Sequence, residues 1–171
     1  MPTDSAKSPI MPGRVSRYLA ADHERLDALL QRADGDHAAY LEFRAGLLRH
    51  IAMEEKILLP AAQRARRDDP LPAAGRLRLD HGALAALLVP SPTPKILAAI
   101  RAILAPHNVL EEAPGGVYET CETLAGAEAD RLAAQLQATA PVRTHANVDG
   151  PRIMEAARRA LARAGYDCDL T

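Results

Sequence analysis

The chain has 171 residues, enough for one domain or for one domain with an appendage. Its formal net charge is −1, with both signs interspersed and no basic block, which argues against a nucleic-acid partner. Hydrophobic residues make up 48% but aromatic ones only 3%, so a core must come from Ala, Leu, Ile and Val, a composition that favours closely packed helices over a β-sandwich.

Cys121 and Cys168 lie far apart and form no CxxC, so no disulfide framework is expected and a reducing compartment is the simpler reading. There is no N-terminal apolar stretch of signal-peptide type and no apolar run near 18 residues. A soluble, cytoplasmic protein with no membrane partner is expected.

Residues 1–13 hold three prolines and a glycine and read as a flexible arm. The spacing predicts a first helix from about Val15 to Ala33, in which Leu19, His23, Leu26 and Leu30 step by four, three and four along one buried seam. Gly35 suits the turn that ends it. A second helix is predicted from His37 to Arg67, with Phe43, Leu47, His50, Glu54, Ile57 or Leu58, and Ala61 on its seam. Pro60 predicts a kink or break just after Glu54. A third helix, Pro72 to Leu88, repeats the four-three-four step with Leu77, His81, Leu84 and Leu88. A fourth starts near Pro94 and carries Ile100, His107 and Glu111, with a kink expected at Pro106 and an interruption at Pro114-Gly115-Gly116. Val117 to Leu124 continues beyond it, 127–138 forms a short helix, and Pro141 to Pro151 reads as a polar linker. Pro151 to Gly165 is a last amphipathic helix, expected to pack on the exterior, with a homodimer contact as the alternative.

His50-x-x-x-Glu54 and His107-x-x-x-Glu111 each put an imidazole and a carboxylate one turn apart on a buried seam. Such burial is costly unless a metal ion compensates it. The two copies lie 57 residues apart, and His23 and His81 lie 58 apart, so the chain repeats one helical hairpin. Folded as an all-α, antiparallel, up-down-up-down four-helix bundle, the repeat brings His23, His50, Glu54, His81, His107 and Glu111 to one level of the core. Imidazoles and carboxylates suit iron, manganese or zinc. Two carboxylates among four histidines suggest two ions bridged by Glu54 and Glu111. His37 and His145 fall off the seams and should face solvent. Asp22, Glu55, Asp80 and Glu112 adjoin seam residues and are flank residues or acceptors for imidazole N–H groups. Tyr18, Tyr40 and Tyr118 are candidates to approach the site, and the spacing does not choose among them.

Residues 15–125 thus resemble the hemerythrin and HHE cation-binding family, on the strength of His23, His50-x-x-x-Glu54, His81 and His107-x-x-x-Glu111. The resemblance implies a four-helix bundle over 14–125, holding two iron ions with an oxo or hydroxo bridge, with zinc or manganese as alternatives. It implies His23 and His50 on one ion, His81 and His107 on the other, and Glu54 and Glu111 bridging. Oxygen-carrying members have a further histidine on the third helix, where this chain has Leu77 and Ala85, so an open position is expected there. The implied function is binding of, or reaction with, a small molecule (O2, NO or peroxide) by a sensor, scavenger or store. A peroxidase- or oxidase-like enzyme and a zinc-held structural module are the alternatives. Residues 126–171 form a helical extension outside the resemblance.

Overall fold

The computed structural model describes residues 13–170, so the arm expected over 1–13 lies outside the described residues except for Gly13. Among the described residues the protein is all-helical, without a strand. Helix α1 (Arg14–Arg32) begins at Gly13, which has no side chain to cap it. A distant carboxylate takes that role. Glu122 accepts hydrogen bonds from the Val15 and Ser16 N–H groups at 3.1 and 3.0 Å. A negative group there meets the free N–H groups and positive end of the helix. After α1, Gly35 turns the chain at φ +95°, a left-handed backbone that favours glycine.

Helix α2 (His37–Met53) is capped by Asp36, whose carboxylate accepts from the Ala39 N–H at 3.0 Å. The break expected near Pro60 takes the form of a π-helical turn over Glu54–Leu58, followed by α3 (Leu59–Ala65). Proline has no N–H to give and crowds the preceding turn, and a wider turn accommodates both faults. Its signature bond runs from the Leu59 N–H to the Glu54 carbonyl, five residues back.

Helix α4 (Ala74–Leu87) carries His81, and α5 (Pro94–Glu112) carries His107 and Glu111. Thr93 caps α5, accepting from the Ile96 N–H at 3.2 Å. The helix runs on through Pro106 to Glu112. The chain then straightens at Ala113 and restarts as α6 (Val117–Ala125). A 3-10 turn over Gly126–Glu128 leads to α7 (Ala129–Gln137), and α8 (Pro151–Arg163) is the last helix described.

The apolar residues form two clusters. One gathers Leu26, Leu30, Phe43, Leu47, Leu84, Ile100 and Ile103. The other gathers Leu19, Met53, Leu58, Leu77, Val117 and Cys121. Along α1 the order is Leu19, His23, Leu26, and along α2 it is Leu47, His50, Met53, so each histidine falls where its helix crosses from one cluster to the other. His81 lies likewise between Leu77 and Leu84. The polar seam residues therefore form a layer between two greasy ends.

Residues beyond 125 share both clusters: Leu132 and Leu136 join one, Ala157, Leu161 and Leu170 the other. Helix α7 packs on α1 and on the π-helical turn, and α8 packs on α4, as expected for an outer helix. The polar linker is irregular but tied down. Arg44, buried, donates to the Leu88 carbonyl at 2.8 Å and to the His145 carbonyl at 2.6 Å. No helix among the described residues is long and apolar enough to cross a membrane.

Candidate metal centre

The six seam residues singled out by spacing come together, each 1–5% exposed. They form two overlapping groups: His23, His50, Glu54 and Glu111, and then Glu54, His81, His107 and Glu111. In each group one donor atom per residue lies within 4.8 Å of all the others. Both carboxylates belong to both groups. His37 and His145 are exposed, as expected.

Each imidazole is oriented from outside by a carboxylate on another helix. His23 Nδ1 faces Glu112 at 2.5 Å, His50 Nδ1 faces Asp22 at 2.9 Å, His81 Nδ1 faces Glu55 at 2.7 Å, and His107 Nδ1 faces Asp80 at 3.3 Å. An ionised carboxylate only accepts, so each Nδ1 carries the hydrogen and donates it. That assignment turns all four Nε2 atoms inward, as in metal-bound histidines oriented by an outer carboxylate. His50 Nε2 stands 3.2 Å from Glu54 Oε1, His81 Nε2 3.0 Å from Glu54 Oε2, and His23 and His107 Nε2 stand 3.4 and 3.3 Å from Glu111 Oε2. Glu54 therefore shows one oxygen to each half. Asp22 and Asp80 are in turn held by Arg25 at 2.8 Å and Arg76 at 2.7 Å.

The two glutamates of each pair reach different targets because one residue step turns about 100° around a helix. Glu54 and Glu55 open the π-helical turn, while Glu111 and Glu112 end α5. In both places the second glutamate reaches a histidine Nδ1, the outer role its sequence position suggested.

Several buried atoms lack hydrogen-bond partners, and three of them belong here: Glu54 Oε2, His81 Nε2 and Glu111 Oε1. Glu54 Oε2 and His81 Nε2 stand 3.0 Å apart, and with the imidazole neutral, as metal ligation requires, its one hydrogen goes to Glu55 and the two atoms turn lone pairs toward each other. Orphaned buried acceptors are destabilising, and a cation satisfies such atoms together. Around the layer stand six carboxylates (Asp22, Glu54, Glu55, Asp80, Glu111, Glu112) against the guanidinium groups of Arg25, Arg76 and Arg78. With the imidazoles neutral, as metal ligation requires, the layer carries an excess of negative charge that a cation would balance. Each group can thus hold a metal ion, and neither specifies which.

Protein charges alone push these groups far from ordinary behaviour. Burial disfavours the His50 imidazolium, but Glu54 and Asp22 outweigh it and carry His50 up to about 10. Burial likewise opposes charge on His107, while Asp80 and Glu111 bring it up to about 10. Burial would raise Glu54, yet His50 and His81 hold it well below the usual carboxylate range. Glu111 goes the other way, raised by burial and by the neighbouring Glu54.

Of the three candidate tyrosines, Tyr118 points into the centre. Its hydroxyl lies 3.0 Å from His23 Nε2, 3.2 Å from His50 Nε2, 2.6 Å from Glu54 Oε1 and 3.1 Å from Glu111 Oε2. It follows Glu111 by seven residues, two helical turns, which would have placed it on the ligand face. The Pro114-Gly115-Gly116 interruption hid that register. Tyr18 reaches only the rim, donating to Met53 Sδ at 3.8 Å, and Tyr40 lies in the cluster around Phe43. Met53 and Cys121 are buried packing residues, as expected. Leu77, where a further histidine was compared, is fully buried in the second cluster, and Ala85 is half-buried. No family model, no curated protein and no solved structure matches the chain.

Proposed function

We propose that this chain is a hemerythrin-like metal protein that holds a pair of transition-metal ions, iron being the metal the resemblance implies, and uses them to bind or react with O2, NO or peroxide. The observation that carries the reading is the overlap of two four-donor groups through both Glu54 and Glu111. A structural site for one ion needs no second set of histidines, whereas two ions bridged by carboxylates do. The order of apolar residues on either side of the histidines supports an antiparallel up-down-up-down arrangement of α1, α2, α4 and α5, since successive helices meet the two clusters in opposite order.

His23 and His50 would hold one ion and His81 and His107 the other, with the two glutamates between them. Bound iron would supply electrons and an open coordination position to a small ligand. The chain's own contribution is orientation and dryness. Outer carboxylates fix the imidazoles, and the two apolar clusters keep bulk water from the layer.

Anaerobic loading with Fe(II) followed by exposure to air tests the reading. The expected result is two irons per chain and near-ultraviolet bands of a bridged diferric pair that shift with azide. Protein that takes up no iron under these conditions contradicts it. A core held by zinc is the second reading, favoured by ligand residues that are all nearly inaccessible. Stoichiometric zinc in protein from its native host, with no iron uptake after zinc removal, would establish it.

A further inference from the structure

Tyr118 has no counterpart in the other half of the repeat. The residue 57 positions earlier is Ala61, which offers no donor atom. The hydroxyl meets four donor atoms at 2.6–3.2 Å, yet a phenol has one proton to donate. Glu54 Oε1, the nearest, accepts it. Glu111 Oε2 and, once the imidazoles are neutral as metal ligation requires, the inward Nε2 atoms of His23 and His50 turn further lone pairs toward the same oxygen. A core tyrosine with one good acceptor needs no such crowd.

The distances are those of a coordination shell. Donors about 2.1 Å from a common ion stand about 3.0 Å from their neighbours in the shell. The four residues also present donor atoms within 4.8 Å of one another, close enough to share one ion with the hydroxyl they all approach. The position is fixed from behind, because α6 also carries Glu122, which caps α1, the helix of His23.

We propose that the Tyr118 oxygen is a fifth protein donor to the ion held by His23 and His50, and that it makes the two metal subsites chemically unequal. This rests on the metal-pair reading above. As the metal–oxygen bond forms, the phenol O–H bond gives up its proton to solvent, together with the protons that metal binding displaces from the imidazoles. The His81–His107 subsite keeps four protein donors and is the side on which a small ligand binds.

Wild-type protein, Tyr118→Phe and Tyr18→Phe are loaded with two equivalents of Fe(II) without air and then oxidised. Iron content, visible absorption and resonance Raman spectra are recorded. Wild type and Tyr18→Phe should show a phenolate-to-iron charge-transfer band and tyrosinate ring vibrations enhanced within it. Tyr118→Phe should lose both and release one of its two irons faster to a chelator. Two irons in wild type without tyrosinate vibrations would overturn the proposal and leave the metal pair standing. A band that persists in Tyr118→Phe would also overturn it, and wild type that binds no iron would overturn both. The wild-type spectrum decides the matter even if the variant folds poorly.

Discussion

The two halves of the centre use one plan and end differently. Each has a histidine from a first helix and a His-x-x-x-Glu pair from a second, each histidine is turned by an outer carboxylate, and both glutamates are shared. They diverge just after the glutamates. In the first copy Pro60 widens the helix into a π-helical turn that runs on as α3. In the second the helix stops at Glu112, and its successor α6 returns Tyr118 to the layer. Ligand spacing within a turn is thus held in both copies, while the segment beyond differs and in the second copy returns a phenol to the site.

The largest expected effect breaks what the halves share. Glu54→Gln and Glu111→Gln should each lower the occupancy of both ions, read by metal analysis after gel filtration. Loss of only one ion in either variant would show that the carboxylate is not shared. The histidines should separate the halves. His50→Ala and His81→Ala should each retain one ion, at different subsites, and the double variant none.

Next come the outer carboxylates. Asp22→Asn or Glu55→Gln leaves every proposed ligand in place but weakens the grip on one imidazole, an effect expected to cost about 10- to 100-fold in metal affinity by competition titration. An unchanged affinity would reduce these contacts to bystanders.

A pH series on chelator-treated protein gives a milder effect. His50 and His107 are carried up to about 10 from an ordinary value of 6.5. A raised imidazole value contributes stability that is complete below about pH 6.5 and is lost as pH rises toward 10. Urea midpoints should therefore fall across that window. Metal affinity should rise through it, because the imidazolium protons must leave before Nε2 can ligate. A midpoint that rises with pH would show that these histidines are not charged partners of Glu54 and Glu111.

The smallest effect serves as a control far from the layer. Asp36→Ala removes the α2 cap and should lower stability by about 1 kcal/mol with metal content unchanged.

Most of the ligand layer was legible because four histidines fell on apolar seams at fixed steps, and helical geometry carries such steps directly into space. The outer roles of Glu55 and Glu112 followed from the same geometry, since neighbouring residues point away from the seam. Tyr118 was not legible, because two glycines and a proline broke the register that would have aligned it with Glu111. The docking of 126–170 was hidden for another reason. Short Ala- and Leu-bearing segments such as Leu132–Leu136 and Ala157–Leu161 show an apolar face, but not which surface will cover it.

Anaerobic titration of Fe(II) into metal-free protein, wild type beside Glu111→Gln, bears directly on a pair of ions sharing two carboxylates. Wild type should saturate at two irons per chain, with binding of both weakened in the variant. Saturation at one iron, or a variant that loses a single ion and binds the other as wild type does, would contradict the shared pair.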